Sequence, residues 1–196
     1  GCPANAPLDD SDAAPTEALL RLYANGDRSA SRMLAARLVP RVLSHAERLL
    51  GNRAEAEDVA QEAMLRLWKI APDWRTGEAK VTTWLYRVTG NLCTDRLRRR
   101  RGVGLDEVPE PEDDALSPAD QMQENARAQA LQAALARLPE RQRQAVILRH
   151  IEEVGNPEIA EIMNISVEAV ESLIARGKRA LTTDLAAQRD ELGISE

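Results

Sequence analysis

The sequence predicts an all-α protein with two small helical domains, joined by an acidic flexible linker, the C-terminal domain being a helix-turn-helix. Apolar residues recur every three or four positions through most of the 196-residue chain. Ala, Leu, Arg and Glu are abundant, and runs of β-branched residues are almost missing. Between residues 102 and 120 this periodicity gives way to Pro, Gly and acidic residues, which cannot bury a core.

The first predicted domain spans 16–101 and follows an Ala/Pro/Asp-rich segment, 1–15, that we expect to be disordered. Asp27 and Asn52 stand where helix starts need side-chain caps, and Pro72 ends the third helix. The helices of this domain are expected at 16–25, 28–50, 54–71 and 80–101.

The predicted linker, 102–120, separates this domain from a second one at 121–186. It carries seven acidic residues and no basic one, and it follows five arginines within 96–101. Self-repulsion of the acids should extend it. Helical periodicity then returns, and a tail at 187–196 closes the chain. The helices of the second domain are expected at 121–137, 140–152, 157–163 and 167–186.

The residue types that catalysis and metal binding need are scarce. The two histidines, His45 and His150, belong to no nucleophile or metal constellation, and no Gly-rich phosphate loop is present. The two cysteines form no disulfide framework, which indicates a reducing cytoplasm. No apolar run is long enough for a membrane helix, and no signal-peptide pattern is found. We expect a cytoplasmic protein that is not an enzyme and has no cofactor, metal or membrane insertion.

The net charge of −6 argues against a nucleic-acid partner only if its distribution is ignored. A polar strip without acidic residues follows one side of the helix predicted at 80–101, between two apolar stripes. Dipole-complementing arginines near a helix end explain the run at 99–101 but not the acid-free strip, so nucleic-acid contact is favoured. Asp95 is expected on the core side, in an ion pair. The arginine strip, as we call it, consists of Thr83, Arg87, Asn91, Thr94, Arg98 and Arg101.

Residues 156–181 have the pattern of a helix-turn-helix. Pro157 follows a helix cap, Asn164 tolerates the left-handed turn conformation, and Ser166 caps a longer helix. Opposite its apolar stripe, that helix presents small and basic side chains that suit the DNA major groove. A merely solvated face is the alternative. The residues expected to contact DNA, here the helix-turn-helix face, are Ser172, Arg176, Lys178 and Arg179.

The helix predicted at 54–71 carries a candidate protein-docking surface. Opposite its apolar stripe, one leucine stands outward among acids and an amide. Such a leucine could dock a partner, but lone exposed leucines are also common on ordinary surfaces, so both interpretations stay open. The docking face, as we call it, consists of Asp58, Gln61, Glu62 and Leu65.

Taken in this order, the motifs resemble those of bacterial RNA polymerase sigma factors of the extracytoplasmic-function (ECF) class, group 4 of the sigma-70 family. The resemblance covers roughly 16–185. The family's D-x-x-Q-E-x-x-x-x-x-W motif matches 58–68, and its T-W-L-Y-R-V-x-x-N-x-x-x-D-x-x-R motif matches 83–98. Its L-P-x-x-x-R and E-I-A motifs match 138–143 and 158–160.

The resemblance implies a role for each surface. The docking face would bind a coiled coil of the largest subunit of core RNA polymerase. The arginine strip would open and contact the −10 promoter element, and the helix-turn-helix face would contact the −35 element. Glu171 and Leu173 replace a Lys and an Arg common in relatives, which leaves the −35 sequence open. The resemblance also implies an anti-sigma factor that covers these surfaces until a stress signal releases it.

Two further hypotheses concern the whole chain. A helix-turn-helix regulator that acts without polymerase would explain 156–181, but it would leave the docking face and the arginine strip unused. The charge order suggests in addition that, in the free protein, the acidic linker folds back and screens the arginines from DNA.

Overall fold

The computed structural model describes residues 15–75, 80–102 and 122–191, and every regular element in these ranges is helical. The predicted all-α fold is therefore confirmed. Apart from Pro15 and Gly102, the predicted tail at 1–15 and the predicted linker at 102–120 lie outside the described residues.

The amino-terminal half contains four helices, which begin and end for local reasons. Asp27 accepts hydrogen bonds from the backbone N–H groups of Ser29 and Ala30 at the start of the second helix, and Asn52 caps the third. Gly51 ends the second helix in the left-handed conformation, with φ 68°. The four helices are α1 (Thr16–Ala24), α2 (Arg28–Leu50), α3 (Arg53–Ile70) and α4 (Val81–Gly102), with a short 3₁₀ turn, Ala71–Asp73, after α3.

The carboxy-terminal half contains four more helices. A π-helical turn, Ile147–Ile151, extends the second of them, so the single helix predicted at 140–152 changes its hydrogen-bonding pattern midway. The last helix continues to Glu191, beyond the predicted end at residue 186, because residues 187–191 include no Gly or Pro that would end it. The helices are α5 (Met122–Arg137), α6 (Glu140–Val146), α7 (Asn156–Met163) and α8 (Val167–Glu191).

The helices α7 and α8 form the predicted helix-turn-helix. Asn164 leaves α7 in the left-handed conformation with φ 56°, and the Ser166 hydroxyl accepts a hydrogen bond from the Ala169 N–H at 3.1 Å. Gly177 on α8 lies against α6, where a Cβ atom would come within 2.6 Å of Val146 Cγ2. A glycine is therefore needed for α6 and α8 to approach this closely.

The two halves share a hydrophobic core. Leu49, Leu50 and Cys93 of the amino-terminal half are buried in the same cluster as Leu135 and Ile147 of the carboxy-terminal half. A separate cluster, around Leu34 and Leu67, belongs to the amino-terminal half alone. The halves thus bury apolar surface against each other rather than standing apart.

The end of α2 is the second point where the halves meet. A helix leaves its last four carbonyl groups without partners inside the helix. The Arg48 carbonyl accepts from Gln132 at 3.0 Å, and the Leu49 carbonyl accepts from Arg143 at 3.0 Å. Arg100 of α4 donates to the Leu50 carbonyl at 3.1 Å. Two of these three side chains come from the carboxy-terminal half, so its docking completes the helix end.

Candidate functional site

The arginine strip lies along α4, and the carboxy-terminal half covers the first part of the strip. Thr83, expected to face DNA, is 1% exposed and donates a hydrogen bond to Glu158 of α7 at 3.2 Å. Arg87 donates to the backbone carbonyl of Glu161. At the other end of the strip, Arg101 pairs with the Glu140 carboxylate of α6. These three strip residues are therefore in contact with the carboxy-terminal half.

The rest of the strip remains accessible. Asn91 and Arg98 are exposed, and Thr94 is half-buried. Arg87 and Arg101 also keep exposed surface despite their contacts. The structure thus brings all six predicted residues to one helix, with Thr83 as the only strip residue that is fully covered.

The arginines beside the strip have different surroundings. Arg100 pairs with Glu55, and burial lowers its pKa. Arg96 lies 3.8 Å from Asp58, whereas Arg99 is exposed. The expectation for Asp95 was wrong: its side chain is exposed instead of lying on the core side, because the α4 stripe buried here runs through Cys93 and half-buried Leu92 and Leu97.

The docking face is solvent-exposed at all four of its residues. Leu65 is 54% exposed, and an apolar groove lies beside it. That groove has a volume of about 290 Å³ and lies on the surface between α2 and α3. Besides Leu65 and Gln61, its lining comprises Val39, Leu43, Glu57, Ala60, Met64 and Trp68.

The contribution of α2 to this groove was not visible in the sequence. Val39 and Leu43 match the apolar periodicity of α2, so they looked like ordinary core residues. Only the packing of α2 against α3 places them at the edge of a groove. A half-buried position of this kind leaves no separate signal in the sequence.

The helix-turn-helix face is exposed at Ser172, Arg176, Lys178 and Arg179. At 100° per residue, Ser172, Arg176 and Arg179 share one side of α8, and Lys178 lies on the flank. Val170, Ile174 and Leu181 are buried on the opposite side of the helix. The four predicted residues are therefore accessible to solvent while the two halves are in contact.

Several ionisable groups are buried at the junction of the halves. Tyr86 of α4 enters the core of the carboxy-terminal half and donates a hydrogen bond to Glu152 at 3.1 Å. Burial raises the pKa of Tyr86 and of Glu152, and it lowers the pKa of His45 to about 3. The His45 ring meets Tyr86 edge-on, with 5.1 Å between ring centroids. Burial also raises the pKa of the Cys93 thiol to about 12.

Two kinds of feature are absent from the described ranges. No cluster of His, Cys, Asp and Glu side chains within them could hold a metal ion. None of the helices described is long and apolar enough to cross a membrane.

Comparisons with known proteins identify the family. The model of Sigma-70 region 2 matches residues 34–103, and that of Sigma-70, region 4 matches 128–181. The ECF RNA polymerase sigma factor SigW of Bacillus subtilis is 34% identical over 149 residues, which cover 70% of this chain and 79% of SigW. The ECF sigma factor SigE of Mycolicibacterium smegmatis is 36% identical over 155 residues, covering 77% of this chain and 60% of SigE.

Both matched regions are parts of sigma-70-type transcription initiation factors. Within that class, the chain belongs to the ECF RNA polymerase sigma factors, and the resemblance seen in the sequence is confirmed.

Solved structures share the fold of this chain. CnrH, determined in complex with the cytosolic domain of CnrY, has a TM-score of 0.66 and 25% identity, with 88% of this chain and 97% of that chain covered. RpoE of Bartonella quintana, determined in complex with the anti-sigma factor NepR, has a TM-score of 0.63 and 22% identity, with 79% and 96% covered. The latter similarity shows the fold.

Proposed function

We propose that this sigma factor binds core RNA polymerase through the docking face and contacts promoter DNA through the arginine strip and the helix-turn-helix face. The observation that carries this assignment is Leu65, which is 54% exposed beside an apolar groove and among acidic and amide side chains. An apolar anchor at the centre with a polar rim is typical of a protein-binding site. A merely solvated helix face has no need of such a groove.

For DNA we propose that the arginine strip binds the −10 element and the helix-turn-helix face binds the −35 element. Four strip residues present guanidinium or amide donors to solvent: Arg87, Asn91, Arg98 and Arg101. Such donors bind phosphates and base edges. Because the helix-turn-helix face is on another helix, the two elements would be contacted independently.

We also propose that an anti-sigma factor controls this chain from within the cytoplasm, and that the chain has no catalytic activity of its own. CnrH, 25% identical to this chain, was determined in complex with the cytosolic domain of a second protein. The groove beside Leu65 offers apolar surface that such an inhibitor could occupy in competition with polymerase.

Run-off transcription with core polymerase tests the assignment. Leu65→Asp should lower core binding and transcription at least tenfold, because a carboxylate would replace the apolar anchor of the docking face. Leu22→Asp is the matched control, since Leu22 is 47% exposed on α1 and does not line the groove, so the change should leave transcription unchanged.

The outcome that would contradict the proposal is equally specific. If the chain bound promoter DNA tightly on its own and never gave initiation with core polymerase, a polymerase-independent helix-turn-helix regulator would be the better description. Equal losses in Leu65→Asp and Leu22→Asp would remove the docking face from the assignment.

A further inference from the structure

Three hydrogen-bond donors of α4 bind carboxylate oxygens of the carboxy-terminal half. The Glu158 carboxylate accepts from Thr83 at 3.2 Å, and the Glu152 carboxylate accepts from Tyr86 at 3.1 Å. The Glu140 carboxylate pairs with Arg101. The acidic face, as we call it, consists of these three glutamates, Glu140, Glu152 and Glu158, and is supplied by α6, α7 and the segment between them.

The chemistry of these contacts is that of DNA binding. Hydroxyl and guanidinium donors that bind DNA do so mainly through anionic phosphate oxygens and the acceptor atoms of bases. Carboxylate oxygens carry the same charge and accept the same charge-assisted hydrogen bonds. Arg87 is held in addition by the Glu161 carbonyl, a neutral acceptor like those of a base edge.

Apolar packing holds the acidic face in place. Tyr86, 7% exposed, is buried in the cluster formed by Leu148, Ile159 and Val170 of the carboxy-terminal half. Gly90 lies at the same contact, where a Cβ atom would meet the flexible end of the Gln144 side chain, 2.5 Å from its Nε2. The contact between the halves therefore combines apolar packing with charge pairing.

The other two functional surfaces stay open in this arrangement. The docking face is exposed on α3, and the helix-turn-helix face is exposed on α8. Of the three functional surfaces, the arginine strip is the one in contact with the acidic face, through Thr83 and Arg101. The carboxy-terminal half thus covers one DNA-binding surface while presenting another.

We propose that the acidic face is an intramolecular DNA mimic that competes with the −10 strand for the arginine strip. The closed form binds polymerase and duplex DNA through its open surfaces, and it binds the −10 strand only after the halves separate. This inference rests on the proposed role of the arginine strip. It also assigns the screening of these arginines to the glutamates of the carboxy-terminal half, whereas the charge order of the sequence suggested the linker.

Neutralising the acidic face without removing its packing tests the mimicry. In the full chain, the Glu140→Gln/Glu158→Gln variant should bind a fluorescein-labelled single-stranded oligonucleotide about tenfold more tightly than the wild type at low salt, measured by fluorescence anisotropy. A single-stranded probe is used because the helix-turn-helix face is expected to bind duplex DNA. Glu152 is left intact, since its carboxylate is buried and partnered by Tyr86.

The matched control is Glu47→Gln/Glu57→Gln, which changes the net charge equally. Both of these glutamates pair with Arg53 at the start of α3. This variant should bind the oligonucleotide like the wild type. Equal gains in the two double variants would overturn the proposal, because net charge alone would then explain them.

Cys93 reports opening without any DNA. It is 1% exposed and buried between the halves, so a thiol reagent reaches it only after they separate. In a Cys2→Ser background, Glu140→Gln/Glu158→Gln should raise the labelling rate of Cys93 by about tenfold, since opening precedes labelling. An unchanged labelling rate would overturn the proposal even if DNA affinity rose.

Failure of this inference and failure of the proposed function are distinguishable. An unchanged oligonucleotide affinity in a variant that still supports run-off transcription would overturn only the mimicry. Absence of transcription from wild-type chain and core polymerase, together with the predicted gains in affinity and labelling, would overturn the sigma-factor roles of the surfaces but not the masking of the strip from single-stranded DNA by the acidic face.

Discussion

At the scale of single residues, Glu153 holds a backbone conformation that its side chain disfavours. Its φ is 58°, in the left-handed region that glycine occupies without steric cost. Glu153→Gly should therefore raise the free energy of unfolding by about 1 kcal/mol. Thermal denaturation measures this shift. Asn164→Gly serves as the comparison, because Asn tolerates its φ of 56° and should gain less. A loss of stability in Glu153→Gly would show that the side chain makes a compensating contact.

His45 makes the stability depend on pH. Burial lowers its pKa to about 3, so the unfolded state binds a proton at a higher pH than the folded state does. The stabilisation is thus complete above the unfolded pKa of about 6.5 and decreases as the pH falls below it. Between pH 7 and pH 5 the wild type should lose about 2 kcal/mol through this group.

Replacing the imidazole tests that assignment. In His45→Leu, the free energy of unfolding measured by urea denaturation should fall much less between pH 7 and pH 5 than in the wild type. Glu152, whose pKa burial raises, acts in the opposite direction, because the folded state takes up its proton first. A variant with the same pH dependence as the wild type would exclude His45 as its cause.

At the scale of elements, Arg143 links the ends of two helices. It donates to the Leu49 carbonyl at the end of α2, and to the Ala136 and Leu138 carbonyls at the end of α5, at 3.0, 2.7 and 2.9 Å. The arginine of the L-P-x-x-x-R motif thus has a structural role in this chain. Burial lowers its pKa without removing its charge.

Removing this link should be costly. Arg143→Met keeps much of the side-chain volume but leaves three carbonyls without their donor, so it should lower the free energy of unfolding by about 2–4 kcal/mol. Arg141→Met is the control on the same helix, because Arg141 is exposed. Denaturant titrations of both variants check the difference, and equal losses would contradict this role of Arg143.

At the scale of the whole molecule, the shared core couples the stability of the two halves. Leu135 of α5 is fully buried in the cluster that both halves form, whereas all three tryptophans belong to the amino-terminal half. Leu135→Ala should destabilise by about 2–5 kcal/mol and shift the tryptophan fluorescence transition, although no tryptophan lies in the mutated half. The unfolding transition measured by far-UV circular dichroism should shift by the same amount. A tryptophan transition that stayed unchanged would show that the halves unfold independently.

The helices were predictable because their signals are local. Asp27, Asn52 and Ser166 cap helix starts by contacts within three residues, so the sequence displays both partners of each bond. The carboxy-terminal ends of α6 and α8 were harder to predict. The π-helical turn at Ile147–Ile151 and the extension to Glu191 follow no capping residue that the sequence presents.

The candidate surfaces were predictable only in part. Each set of predicted residues lies on one helix, and helical periodicity is sufficient to bring such residues to one side. The groove beside Leu65 also needs Val39 and Leu43 of α2, and the cover over Thr83 needs Glu158 of α7. Contacts between segments that are far apart in the sequence cannot be predicted from a local pattern.

By itself, the sequence determined the all-α class, the family and, with exceptions such as Asp95, which side chains share a helix face, because these depend on composition, spacing and motifs of a few residues. The tertiary structure alone decided that the carboxy-terminal half lies on α4. Tyr86 is buried in the other half's core, and glutamates rather than solvent meet Thr83 and Arg101. The physical reason is that burial and polar pairing between residues 39 to 75 positions apart depend on packing in space, which no local periodicity encodes.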